Sequence, residues 1–209
     1  MQPVSPTEPL RSKRDRRAQS FWTSASARAL TAALLLARVP AAMVAAQPPK
    51  PTEYDVKAAY LLNFGKFLRL SRPAARRSSF EICTLGQDSI SSPLDALANN
   101  ATINGLPVHV THLQDISAAR SCAILFISAT ESDHIREDLA ILGSADTLTV
   151  SDAPDFLEHG GMIQFVLVSS HVRFSVNLDA VNRANLILSS ELLRVASSVS
   201  GKPPARGLP

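Results

Sequence analysis

Aromatic side chains are scarce in this chain. Its 209 residues hold eight Phe, two Tyr and one Trp. The tryptophan, Trp22, falls in the first fifty residues, so the body of the protein has no tryptophan with which to anchor a partner. Long apolar runs are missing too. The best, 30–37, is about half of what a membrane-spanning helix needs. No G-x-G-x-x-G follows the first strand-like segment, where the turn reads Leu85-Gly-Gln-Asp-Ser89, with one glycine and an Asp that would repel phosphate. A Walker loop is absent, and so is a G-x-S-x-G elbow. Nucleotide binding and serine hydrolase chemistry therefore have no motif to rest on.

The net charge of +3 is unevenly spread. Residues 1–46 hold seven Lys and Arg (Arg11, Lys13, Arg14, Arg16, Arg17, Arg28 and Arg38) against Glu8 and Asp15. That leaves fourteen basic and sixteen acidic residues beyond Ala46. A nucleic-acid footprint needs a basic face on the folded domain, which this balance does not provide. The leader reads as a secretory signal: a basic region, the apolar Leu30-Thr-Ala-Ala-Leu-Leu-Leu-Ala37, and a small-residue cleavage pattern at Val44-Ala-Ala46. Arg38 and Pro40 interrupt this pattern, and a basic arm or a start codon placed too early is the competing reading. Arg16-Arg17 lacks twin-arginine flanks, and no cysteine follows the apolar stretch to carry a lipid. The expected organisation is a leader at 1–46, a Pro-rich linker at 47–52, one α/β domain at 53–199 and a loose tail at 200–209.

Export changes how Cys83 and Cys122 read, because two thiols in an oxidising compartment allow one intramolecular bond. Each sits in a short apolar strand-like run. A disulfide there would close a loop of about 40 residues and contribute on the order of 4 kcal/mol. Two buried free thiols on non-adjacent strands are the alternative. Along the body, Thr52 is a candidate N-cap for a helix of about 17 residues. Its apolar stripe reads as Val56, Ala59, Tyr60, Asn63, Phe64, Phe67 and Leu68, with Lys57 off it. A loop follows at 71–79. Strands are expected at 80–85, 108–111, 122–128, 147–150, 162–168 and 172–177, the last two forming a hairpin. Helices are expected at 92–98, 132–142, 178–185 and 190–197, with Gly143 ending the second. Alternation of this kind predicts a single three-layer α/β domain. It has a mostly parallel central sheet, an antiparallel edge hairpin and flanking helices.

Chemistry-bearing clusters are few. His109 and His112 fall on opposite faces of a strand and read as surface histidines. Asp152, Asp155, Glu158 and His159 read as a capped short helix, with Asp152 at its start and Gly160 at its end, in preference to a metal set. No catalytic, cofactor-binding or metal-binding residue is assigned, and the expectation is a protein that is not an enzyme and needs no cofactor.

Several ordered blocks carry a resemblance. They are Lys57-Ala-Ala-Tyr60, Asn63-Phe-Gly-Lys-Phe67, Leu148-Thr-Val-Ser-Asp152, Gly160-Gly-Met162, Arg173-Phe-Ser-Val-Asn177 and Ser189-Ser-Glu-Leu-Leu193. Over about residues 53 to 197 the chain resembles the YfiR family of small periplasmic regulatory proteins. It departs from the family at Leu70-Ser71, where an aromatic and Pro are usual, at Ala123, where His is frequent, and in lacking a second cysteine pair. The resemblance implies a periplasmic homodimer that represses an inner-membrane diguanylate cyclase by binding its periplasmic domain, lowering cyclic di-GMP and biofilm formation. It also implies that an OmpA-type outer-membrane lipoprotein can sequester the regulator. Cys83 and Cys122 align with one of the family's disulfides. Candidate partner residues are Phe64, Phe67 and Leu70 on the first helix, and Phe156 with Leu157 before the double glycine. The alternative function is a periplasmic small-molecule-binding sensor signalling to a separate kinase or transporter.

Overall fold

Residues 50–70 and 78–203 are described by the structure, a computed structural model. The leader, most of the Pro-rich linker, most of the 71–79 loop and the end of the tail lie outside the described residues. The first helix, α1 (Glu53–Phe67), starts from a capping box: the Asp55 N–H donates to the Thr52 hydroxyl, and the Thr52 N–H donates to the Asp55 carboxylate. Its buried residues are Lys57, Ala58, Leu61, Phe64 and Gly65, a stripe one position away from the expected one. Gly65 belongs to that stripe because a Cβ there would meet the Ile103 Cδ1 at 2.7 Å. The helix unwinds into β1 (Leu68–Arg69), which pairs antiparallel with β9 (Ile187–Leu188) in a small separate sheet.

The main sheet has eight strands in the order β10-β8-β7-β6-β5-β2-β4-β3. Here β2 is Phe80–Leu85, β3 Thr102–Ile103, β4 Leu106–Leu113, β5 Ile124–Ile127 and β6 Leu148–Ser151. The remaining strands are β7 (Ile163–Val168), β8 (His171–Asn177) and β10 (Ser198–Ser200). Strands β4, β2, β5, β6 and β7 are mutually parallel, and β8 runs antiparallel to β7. The β7–β8 hairpin turns on Ser169 and Ser170, both at positive φ (49° and 61°), as a two-residue turn that matches strand twist requires. That hairpin is not at the edge as the sequence reading placed it. The Ser-Val-Ser of β10, which follows the helix expected at 190–197 and for which no strand was expected, lies parallel to β8 and takes the edge. Its own side chains are all exposed, so no apolar periodicity announces it. It is held by backbone and hydroxyl bonds, including Ser198 Oγ to Ser175 Oγ at 2.8 Å.

Among the described residues four further helices flank the sheet: α2 (Ser91–Ala98), α3 (Ile135–Leu142), α4 (Leu178–Arg183) and α5 (Ser190–Val195). Alternating residues of each central strand feed two cores. Ile82, Ile124, Phe126, Leu148 and Val150 point into the larger one, under α1, α2, α4 and α5. Cys83, Leu85, Leu125 and Ile127 point into the smaller one, under α3 and the 3₁₀ turn Ile116–Ser121. The larger core concentrates the scarce aromatics: Phe64 lies 5.0 Å from Phe174 and 5.9 Å from Phe165, and Tyr60 lies 5.5 Å from Phe174.

Candidate functional site

In chain order the five parallel strands run 2-1-3-4-5 across the sheet. Such sheets offer a crevice at the carboxyl ends of the strands where the order reverses, here between β2 and β5. In this chain the crevice is filled. Gly86, at φ 90°, brings its backbone so close to the next loop that a Cβ would meet Glu131 at 2.7 Å and the Thr130 hydroxyl at 2.8 Å. The Ser128 and Thr130 hydroxyls both donate to the Gln87 carbonyl, at 3.0 and 3.3 Å. Asp88 occupies the start of α2, accepting from the N–H groups of Ile90 and Ser91 and from the Ser91 hydroxyl. The Asp88 carboxylate takes the place and two of the N–H donors that a phosphate would use, which gives a structural reason for the missing glycine-rich fingerprint.

Beside this plug lies an ionic cluster that periodicity alone did not expose. Lys57 is 4% exposed. Its ammonium donates to Asp152 Oδ2 at 2.7 Å and pairs with Glu53 Oε1 at 2.6 Å, one turn back on α1. The other Asp152 oxygen accepts the Ala129 N–H at 3.0 Å. Burial by itself would push the Lys57 pKa down; the hydrogen bonds to Asp152 and Glu53 and the charges of both outweigh it, leaving the pKa above the ordinary lysine value. A lysine so paired is not free to bind an anion. It ties α1 to the carboxyl ends of β5 and β6, through residues that belong to two of the blocks carrying the resemblance. The signal available in the sequence was the Glu53–Lys57 spacing of four on a helix, and Asp152 could not be added to it without the fold.

Asp152 is therefore not the cap of a short helix. Residues 154–160 form successive turns instead, with Glu158 N–H and His159 N–H both donating to the Asp155 carbonyl. Asp155 itself is at φ 56°, outside the helical region. Gly161 passes over the Phe156 ring with no space for a Cβ, which accounts for the second glycine of the pair. Among the described residues, no group of three or more His, Cys, Asp or Glu is placed to hold a metal ion.

A second cluster has the outline of a hydrolytic triad. His112 Nε2 lies 3.2 Å from Asp95 Oδ2, and its Nδ1 lies 3.3 Å from Ser91 Oγ and 2.9 Å from Thr84 Oγ1. The Ser91 proton is committed to Asp88 at 2.8 Å, so the imidazole cannot take it. The cluster straps α2 to β4. His109, three residues earlier, faces Glu81 at 3.6 Å. Both histidines are on the surface.

Cys83 and Cys122 are joined, with their Cα atoms 5.9 Å apart. Cys83 points from β2 into the smaller core, and Cys122 closes the 3₁₀ turn just before β5, the strand that pairs with β2. Of the candidate partner residues, Phe64 and Phe156 are fully buried, in the larger and the smaller core respectively. Leu70 and Leu157 are half-buried, and Phe67 is 36% exposed. Ile187, which the sequence reading did not single out, is 50% exposed on β9, next to the end of α1.

Residues 54–197 match the YfiR/HmsC-like family, and the chain belongs to it. No curated protein matches the chain. Among solved structures it is similar to a conserved domain protein from Vibrio cholerae O1 biovar El Tor, at 10% identity and a TM-score of 0.50, covering 71% of this chain. It is also similar to an ABC domain in complex with L-Trp from Streptococcus pneumoniae, at 14% identity and a TM-score of 0.52, covering 68% of this chain. The likeness spans 60% of each of those two chains and shows the fold alone.

Proposed function

We propose that this member of the YfiR/HmsC-like family is a periplasmic regulator. It would act by protein–protein contact, repressing an inner-membrane diguanylate cyclase and so lowering cyclic di-GMP and biofilm formation. The observation that carries the reading is the family match over 54–197, which takes in nearly all of the domain. Two features agree with it. The loops at the switch-point crevice are tied to each other, and a carboxylate sits at the start of α2 where a phosphate would bind. The Cys83–Cys122 bond suits an oxidising compartment. Among the described residues no helix is long and apolar enough to cross a membrane.

The partner surface we assign is the end of α1 with the small β1–β9 sheet. There Leu68 and Leu188 pair and face inward, while Phe67 and Ile187 are exposed, with Leu70 at the margin. Exposed apolar side chains brought close together are where a partner of matching shape docks. The occupant is the periplasmic domain of the cyclase. Homodimer formation, capture by an OmpA-type lipoprotein and removal of the leader near Ala46 belong to the same proposal.

The test is cellular cyclic di-GMP in a strain lacking the gene. Deletion should raise it, wild type should restore it, and Phe67→Asp with Ile187→Asp should fail to restore it while remaining folded. No change on deletion would overturn cyclase repression and leave the sensor reading. Rescue by the double variant would move the contact elsewhere.

A further inference from the structure

On the α3 face the sheet is apolar at its centre and polar to one side. The smaller core is built on β2 and β5, and the neighbouring strand β6 presents Thr149 and Ser151 to the same side. The Thr149 hydroxyl accepts the Met162 N–H at 3.2 Å. Between α3 and α4, over this polar stretch, opens a cleft of about 370 Å³. That is within the size range of small-molecule sites. It lies away from the plugged crevice at the carboxyl ends of β2 and β5, and shares no residue with the Lys57 cluster.

The lining is lopsided in charge. Arg136 comes from α3, Arg183 from α4 and His159 from the turns before Gly160, and no carboxylate lines the cleft. This occurs in a body whose acidic residues outnumber its basic ones. Neither guanidinium has a hydrogen bond or ion pair among the described residues. His159 lines the cleft as well, with its Nδ1 buried and without a hydrogen-bond partner. The remaining wall includes apolar groups of Leu139, Met162 and Ala184. Unpaired arginines on separate helices form the arrangement that grips a planar or tetrahedral anion, because each fork can offer two N–H groups to one head group.

From this we infer that the cleft is a binding site for a small organic anion, with a carboxylate or phosphate head group between Arg136 and Arg183 and an apolar body against Leu139 and Met162. The site does not depend on the repressor reading, and it gives the same domain a means of responding to a small molecule. A bound anion would bridge α3 and α4.

Titration of the full-length chain with phenyl phosphate, 3-phenylpropionate and the neutral 2-phenylethanol, followed by amide NMR, tests it directly without any cyclase. Either anion should shift the Gly143, Ser144 and Gly160 amides saturably, and the neutral alcohol should not. Arg136→Gln with Arg183→Gln, at two exposed positions, should keep the spectrum of the folded protein and weaken the anion by about tenfold or more. Which anion binds more tightly tells phosphate from carboxylate. Equal binding of the alcohol, unchanged affinity in the double variant, or no saturation by about 10 mM, a weak limit even for a fragment, would each overturn the site.

Discussion

The two faces of the sheet are held by different means. Under α1, twenty-nine buried apolar residues form one core in which Tyr60, Phe64, Phe126, Phe165 and Phe174 interlock. Under α3 there are eleven, with Phe156 the single aromatic, and two of the eleven are the bonded cysteines. The first face can rely on area removed from water, at roughly 25 cal/mol per Å². The second has too little apolar surface for that and adds a covalent link, which lowers the entropy of the unfolded chain in place of adding contacts. The thin face is also where the basic cleft opens and where polar Thr149 and Ser151 replace apolar residues on the sheet. One face is thus held by packed aromatics, and the other by a small apolar cluster with a covalent link through it.

The largest effect expected from breaking this contrast is at the aromatic core. Phe64→Ala should lower unfolding free energy by about 3–5 kcal/mol in urea titration. The loss should be the same with the disulfide intact or reduced, because the two sites are in separate cores. Next comes the bond itself. Cys83→Ser with Cys122→Ser should cost about 2–4 kcal/mol. Hydrogen exchange should place the loosening at Ile116–Ser121 and the start of β5, with α1 amides still protected. Equal loosening of α1 would show that the two faces are one cooperative unit.

Lys57 joins the faces at one end, since it carries α1 to Asp152 beside the loops of the second face. Lys57→Met should cost about 2 kcal/mol, below the 3–5 typical of a fully buried pair, because Glu53 and Asp152 retain some water. With its pKa raised in the fold, the Lys57 contribution is complete below the unfolded value of about 10.4 and is lost only as pH climbs through the folded one. The stability difference between wild type and Lys57→Met should therefore be flat from about pH 6 to 9. A slope in that window would mean that another group carries the tie.

How much of this was legible depended on range. The central strands and the helix ends at Thr52 and Gly143 were readable because their signals are local: alternation, a cap, a glycine at φ 60°. The Cys83–Cys122 pairing was readable because only two cysteines exist. The α1 stripe came out one residue off because Lys57, normally a surface residue, is buried by partners from elsewhere in the chain. β10 was missed because three exposed residues carry no period, and its pairing depends on β8 being in place. The cleft left no trace in spacing, since Arg136 and Arg183 are far apart in the chain and meet only through α3 and α4.

The smallest effect tests whether the thin face is under polar strain. Asp138 on α3 is 8% exposed, and its Oδ2 is buried without a hydrogen-bond partner. Burial, with the nearby Glu131 charge adding to it and His134 opposing, raises its carboxyl pKa above the ordinary aspartate value. A carboxyl whose folded pKa is raised favours the fold when protonated and opposes it once ionised. Its penalty is thus absent below the unfolded value of about 3.9 and complete above the folded one. Asp138→Asn should accordingly stabilise the protein by up to about 1 kcal/mol at pH 7. The gain should shrink to nothing as pH falls toward about 4. A gain that persisted unchanged in acid would locate the benefit in the amide's own hydrogen bonds and not in the removal of a buried charge.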